Sequence, residues 1–240
     1  QKEKERTALM ADKKQLEASP LRVPQSGPYF VMEQVSIARR LPCMGEVVAA
    51  KKTYDKEAGQ ANIAAAKDDK PRAPGKGEAG YVGTEECSFC HKDEVTFWKQ
   101  TRHAQAWKTL TDAGKEYNRD CIYCHVTGFG KPGGSTLAFN EELQDVQCET
   151  CHGPGSIHVE EDGHEKPSTM QMEPKEALCI TCHSEEHSDT FDFKAYLRDV
   201  TGPGHGGMFR KKLGDGPTGH ELRSAGLKKA GKDVGAGCPK

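Results

Sequence analysis

Apolar positions are sparse along the chain and recur in short bursts. Leu9, Met10 and Leu16 within residues 2–18 predict a helix ending before Pro20. Tyr54, Ala58, Ala61, Ile63 and Ala65 predict a second, Ala-rich helix over 52–67. Between them, GPYFVMEQVSIARRLP (27–42) reads as extended and stops at Pro42. Residues 68–80, DDKPRAPGKGEAG, have the composition of a linker. Further on, Trp98, Ala106, Trp107 and Leu110 recur at helical spacing. Short helices are predicted near 92–112, 174–184 and 193–200, joined by long loops. The basic, Gly-rich stretch 211–240 reads as an extended arm. The predicted architecture is therefore mainly α and loop-rich, with little β structure.

Such a pattern buries little. Leu, Ile, Val and Phe make up 37 of 240 residues, below the roughly 20% at which a chain can build its own apolar core. Net charge is only -2, so the composition points to a chain folded around something that is not protein. No run of 18 apolar residues exists, so no integral membrane span is expected. The chain opens on Gln1 without a basic-then-apolar leader, which reads as a mature form or a fragment. Charge divides the sequence: residues 1–79 carry net +4, residues 80–210 net -10 and residues 211–240 net +4. The acidic middle argues against nucleic acid as a partner. The same boundaries give the expected organisation: a helical and extended N-terminal arm with linker (1–79), a central domain (80–210) and a C-terminal arm (211–240).

Eight of the ten cysteines lie in that middle as C-x-x-C pairs: Cys87/Cys90, Cys121/Cys124, Cys148/Cys151 and Cys179/Cys182. Histidine follows each pair at once, as His91, His125, His152 and His183. With ten His in 240 residues, chance places one after a given pair about one time in 24, and after all four about 3 times in a million, so the C-x-x-C-H signature is specific. Two thiols three residues apart reach both vinyl groups of one porphyrin. The next residue then supplies the proximal imidazole to the iron. Zinc needs no His after every pair, and two-residue C-x-x-C loops are redox-active or metal-bound more often than structural. Four covalently bound c-type haems are expected, and their flat apolar bodies supply the missing core. Covalent haem is attached outside the cytoplasm, so a periplasmic or extracellular location is expected.

The remaining histidines are candidates for the far side of the irons. His103 lies on the helical face of FWKQTRHAQAWKTL, His158 follows the Gly153-Pro154-Gly155 turn, and His205 follows the amphipathic stretch FDFKAYLRDV. These three read as distal ligands. His164, His187 and His220 read as solvated side chains, and Met170, Met172 and Met208 as packing. Three distal candidates for four irons leave one iron open. Cys43 and Cys238 stand outside the motifs and are expected to pair in an oxidising compartment.

CSFCHKDEVTFWKQTRHAQAWKTL (87–110), DCIYCHVTGFGKPGGST (120–136), VQCETCHGPG (146–155) and LCITCH followed by FDFKAYLRDVTGPGH (178–205) resemble the cytochrome c-554 family of tetrahaem cytochromes. The resemblance covers about residues 80–210. It implies His205 across from His91, His103 across from His152 and His158 across from His183, with the His125 iron five-coordinate. It also implies an extracytoplasmic electron carrier. More distantly, residues 1–67 resemble the C-terminal end of a periplasmic metallophosphatase domain, but no GDxH or GNHE motif is present and no hydrolase activity is expected.

Three roles follow. The first is electron transfer through closely packed haems between redox partner proteins, with the charge asymmetry steering docking. The second is reduction of nitric oxide or another small nitrogen oxide at an open iron on His125; Tyr117 and Tyr123 are near in sequence but give no clear proton donor. The third is self-association, as a subunit of a haem filament or larger respiratory assembly.

Overall fold

Helix formation follows the sparse apolar pattern closely at the N-terminus. In the computed structural model, which describes residues 2–18, 26–28, 30, 43–164, 167–185 and 187–231, α1 spans Lys2–Ala18. It belongs to one unit, Gln1–Ile37, and the rest of the chain to a second, Ala38–Lys240. Leu9 and Met10 are exposed on α1. The stretch expected to be extended, 27–42, lies outside the described residues except for positions 27, 28 and 30.

The second unit begins with α2, Gly45–Ala66, which starts before the expected residue 52. The lower half of α2 enters the core: Ala66 packs with Ile122, Val126 and Leu137, against which Trp107, Tyr117 and Phe129 lean. Asn62 Nδ2 donates to the Tyr117 carbonyl at 3.0 Å. This small cluster is the apolar core that the composition allows.

Residues 68–80 are an ordered strap rather than a free linker. Gly133 N donates to the Arg72 carbonyl (2.8 Å) and Tyr81 N to the Pro132 carbonyl (3.1 Å). Gly80 N donates to Ser156 Oγ at 2.9 Å, and Ser156 N returns to the Gly80 carbonyl at 3.1 Å. The prolines and glycines that read as a linker shape a strap whose partners lie far along the chain.

Short helices then alternate with loops: α3 (Thr84–Cys87), α4 (Lys92–Trp98), a 3-10 turn (His103–Gln105), α5 (Ala106–Ala113), α6 (Arg119–Ile122), a 3-10 turn (Glu141–Leu143), α7 (Cys148–His152), α8 (Ser156–Glu160), α9 (Glu176–Cys179) and α10 (Phe193–Val200). Gly114 ends α5 in the left-handed conformation (φ 64°), and Lys115 N donates back to the Leu110 carbonyl at 2.9 Å. Asp192 caps α10 by accepting from Ala195 N at 2.8 Å. Among the described residues the only β pairing is an isolated antiparallel bridge between Val126 and Gln144. The molecule is mainly α, as its sequence pattern predicts.

The C-terminal stretch corrects an expectation. In place of an extended arm there are α11 (Gly207–Leu213) and α12 (Gly219–Gly231). A capping box starts α12: Glu221 N donates to Thr218 Oγ1 (3.2 Å) and Thr218 N to Glu221 Oε2 (2.8 Å). Arg198 on α10 holds the intervening turn, donating to the carbonyls of Leu213, Gly214 and Pro217 at 2.9–3.0 Å. Asp199 accepts from His220 N at 2.8 Å. Cys43 is disulfide-bonded; Cys238, its expected partner, lies outside the described residues. No helix among the described residues is long and apolar enough to cross a membrane.

Candidate haem-binding centres

Each C-x-x-C-H motif sits on one helical turn, and i, i+3, i+4 positions share one side of such a turn. In the first, Cys90 N and His91 N both donate to the Cys87 carbonyl (3.3 and 2.9 Å). The fourth repeats this at Cys179, with Cys182 N at 3.2 Å and His183 N at 2.9 Å. The second is led by Asn118, whose side chain accepts from Asp120 N at 2.9 Å, and the third lies within α7. Each turn therefore brings two thiols and one imidazole together.

The imidazoles are oriented from behind. His125 Nδ1 donates to the Ala106 carbonyl at 2.6 Å, with Thr109 Oγ1 3.2 Å away. His152 Nδ1 donates to the Gln171 carbonyl at 2.7 Å. His183 Nδ1 meets Ser188 Oγ at 3.2 Å. Anchoring one ring nitrogen fixes the tautomer and leaves Nε2 for a metal. An imidazole held this way presents Nε2 to a haem iron, so the residues present fit the group. His91 is the exception: it is exposed, with Nδ1 3.6 Å from Glu94 Oε1.

The motifs associate in pairs. Cys87 Sγ donates to the Gly83 carbonyl at 3.4 Å, and the neighbouring Cys87 and Cys148 thiols act on each other, holding Cys87 above the ordinary thiol range and Cys148 below it. Cys124 stands in the same relation to Cys182. Burial pushes the Cys151 thiol up to about 12. None of the eight motif cysteines is in a disulfide. Among the described residues no three or more His, Cys, Asp or Glu side chains converge as a bare-metal site.

Two residues missed by the sequence reading join the first and third motifs. Glu149, inside the third C-x-x-C, is 2% exposed. Its carboxylate accepts from Val82 N (3.1 Å), Gly83 N (2.8 Å) and Gly155 N (2.8 Å). Burial raises its pKa, while those N–H groups oppose the shift. Gln147 Oε1 accepts from Thr84 N at 2.6 Å, at the start of α3. A carboxylate between two motif cysteines was the available signal; its partners lie too far along the chain to be read.

The distal candidates divide. The His103 ring stands 6.1 Å from that of His183, centroid to centroid and tilted by 41°. Burial holds His103 down at about 4, helped by His183. The resemblance implied His152 as its counterpart; the ring beside it here is that of His183. Val146 N donates to the His103 carbonyl (3.1 Å) and Trp98 Nε1 to the Val146 carbonyl (2.9 Å). These bonds fix the turn that carries His103. His205 has a buried Nδ1 with no hydrogen-bond partner, and burial lowers its pKa, with His152 acting in the same sense and Glu94 against it. It is placed by the first and third motifs. His158 lies half-buried on α8, beside Gly163. His164, His187 and His220 are exposed, as are Met172 and Met208.

Comparison with known proteins bears on the same region. Residues 86–153 match the family model described as cytochrome c554 and c-prime. A cytochrome c-554 from Nitrosomonas europaea is 39% identical over a 94-residue alignment, covering 32% of this chain and 40% of that protein. The chain thus matches less than half the length of this relative. A solved structure, the reduced state of cytochrome c554 from the same organism, superposes with a TM-score of 0.43 at 24% identity, covering 56% of this chain and 95% of that one.

Proposed function

We propose, from the match of residues 86–153 to the cytochrome c554 and c-prime family model, that the chain is a tetrahaem c-type electron carrier working between extracytoplasmic redox partners. The thiol pairs Cys87/Cys90, Cys121/Cys124, Cys148/Cys151 and Cys179/Cys182 would hold four c-type haems, with His91, His125, His152 and His183 as proximal ligands. Haem supplies one-electron chemistry when bound, and the protein contributes ligation, orientation and burial. The expected domain division keeps these motifs within residues 80–210.

The observation that carries the reading is the facing pair His103 and His183, 6.1 Å apart. Rings at that separation would leave room for one iron between them. We therefore assign His103 to the His183 iron. His205, with a buried nitrogen that has no hydrogen-bond partner, is assigned to the group formed by the first and third motifs. His158, beyond the Gly153 turn, is the third distal ligand. The His125 iron is left with a free far side, open to a small ligand.

Pairing of the motifs, first with third and second with fourth, supports electron passage over short distances within each pair. The acidic middle and basic flanks would steer encounter with a redox partner.

Intact mass with a denatured absorption spectrum, on protein matured in a host competent for c-type haem, should count four covalent haems. His103→Ala should turn one low-spin ferric signal high-spin while that count stays at four. Bare apoprotein, or zinc in place of iron, overturns the reading.

A further inference from the structure

The fourth motif has a setting the others lack. His125 and His152 each rest on a backbone carbonyl, His125 with Thr109 Oγ1 also 3.2 Å away, whereas His183 Nδ1 rests on a side-chain hydroxyl, Ser188 Oγ, at 3.2 Å. Ser188 is 7% exposed. Its hydroxyl lies 3.0 Å from Tyr196 Oη, which lies 3.3 Å from Thr190 Oγ1. Phe191 stacks on the His183 ring at 5.2 Å and 13°. Tyr196 meets the same ring edge-on at 5.0 Å and 80°, and Phe191 and Tyr196 close the box at 4.9 Å. Residues 187–196, which run from beyond the motif into α10, thus fold back over the motif's own proximal histidine.

We infer that Ser188 and Tyr196 are positioning residues that set the reduction potential of the haem held by His183. The inference rests on the reading of His183 as an iron ligand.

With Nε2 directed to a metal, Nδ1 carries the proton and donates to Ser188 Oγ. Ser188 donates onward to Tyr196 Oη, and Tyr196 to Thr190 Oγ1. A hydroxyl that donates becomes a better acceptor, so the chain strengthens the first bond. A better acceptor at Nδ1 makes the imidazole a stronger electron donor, which favours the ferric state and lowers the potential. Hydrogen bonds behind a ligating histidine act on the metal in this way. The carbonyls that accept from His125 and His152 cannot be altered by substitution; at His183 the acceptor itself is a side chain, so this potential is adjustable by single residues.

The test is a potentiometric titration of the holoprotein followed by optical and EPR spectra. Ser188→Ala should raise the midpoint of one haem by up to a tenfold change in its oxidised-to-reduced ratio, which is 59 mV for a one-electron couple. Tyr196→Phe, which keeps the ring and removes only the hydroxyl, should shift the same haem in the same direction by less. Ser188→Thr should restore the original value. The affected step must be the one missing from Cys179→Ser/Cys182→Ser protein. Unchanged midpoints in both Ser188→Ala and Tyr196→Phe, a downward shift in either, or a shift confined to another haem overturns the inference. Cys179→Ser/Cys182→Ser protein that retains four haems would instead overturn the ligand reading itself. Should Ser188→Ala fail to fold, Tyr196→Phe alone decides.

Discussion

The two motif pairs are built on different principles. The joint between the first and third is made of main chain. The Glu149 carboxylate gathers N–H groups from the distant segment 82–83 and from Gly155 just downstream, and Gln147 caps α3. In the second pair, the setting of the fourth motif is made of side chains. There His103 faces His183, and Ser188, Phe191 and Tyr196 enclose the His183 ring. Main-chain donors offer one geometry and tolerate few replacements, because a buried N–H without an acceptor costs the full desolvation of that group. Rings and hydroxyls admit graded replacement. The first pair is thereby suited to fixing geometry and the second to adjusting ligand strength. Substitutions in the first should change stability before spectra, and those in the second spectra before stability.

The largest effect should come from Glu149→Ala, which leaves the N–H groups of Val82, Gly83 and Gly155 without their acceptor. At about 1–3 kcal/mol per orphaned group, chemical denaturation should show the greatest loss of the series, and amide exchange at 82, 83 and 155 should rise together. A loss under about 1 kcal/mol, the worth of one ordinary hydrogen bond, would mean the carboxylate is not the joint. Next is Gly153→Ala. Gly153 has φ +91°, and a Cβ there would meet the Thr169 carbonyl oxygen. Backbone strain of this kind costs about 1–3 kcal/mol before any clash is relieved. The denaturation midpoint should fall, and the His152 haem should keep its spectrum if the comparison holds.

Legibility in the sequence follows the range of the interactions. The C-x-x-C-H motifs were legible because their chemistry is contained in five residues. So was α10, whose Asp192 cap and apolar face lie within one segment. α12 was not read, although Thr218-x-x-Glu221 is a local signal; the Gly and Lys content around it pointed to an arm. The 68–80 strap was misread because its partners, Pro132, Gly133 and Ser156, lie far along the chain. The counterpart of His103 depends on how residues 98–107 dock on 145–146, and spacing within one segment carries no such information. Ser188 and Tyr196 looked like ordinary polar positions until the chain closed over His183.

In the second pair, Phe191→Leu should be milder for stability and plainer in the spectrum. It removes the stack on His183 and the edge contact with Tyr196, worth about 0.5–1.5 kcal/mol. The low-spin EPR signal of one haem should move as the imidazole gains freedom to rotate, while haem content stays constant. A stability loss equal to that of Glu149→Ala would erase the distinction between the joints.

The smallest effect marks where the first joint ends. Its strap continues outward to Arg72, whose guanidinium donates to both Glu78 carboxylate oxygens at 2.7 and 2.8 Å, while Gly75 N donates to the same group. Chiefly through Arg72, the Glu78 carboxyl is held down to about 2 from 4.5. A folded-state pKa below the unfolded one contributes stability that is complete above the unfolded value and lost as pH falls through the folded one. The strap should therefore tighten above pH 4.5 and loosen between 4.5 and about 2. Both side chains face water, so screening keeps the contribution small. An NMR titration should find Glu78 well below the ordinary carboxylate range and returned to it by Arg72→Ala, with amide exchange at 75–80 increasing and that at 82–83 unchanged. If exchange at 82–83 rises as well, the exposed strap and the buried Glu149 joint are one cooperative piece, and the boundary of the rigid region moves out to Arg72.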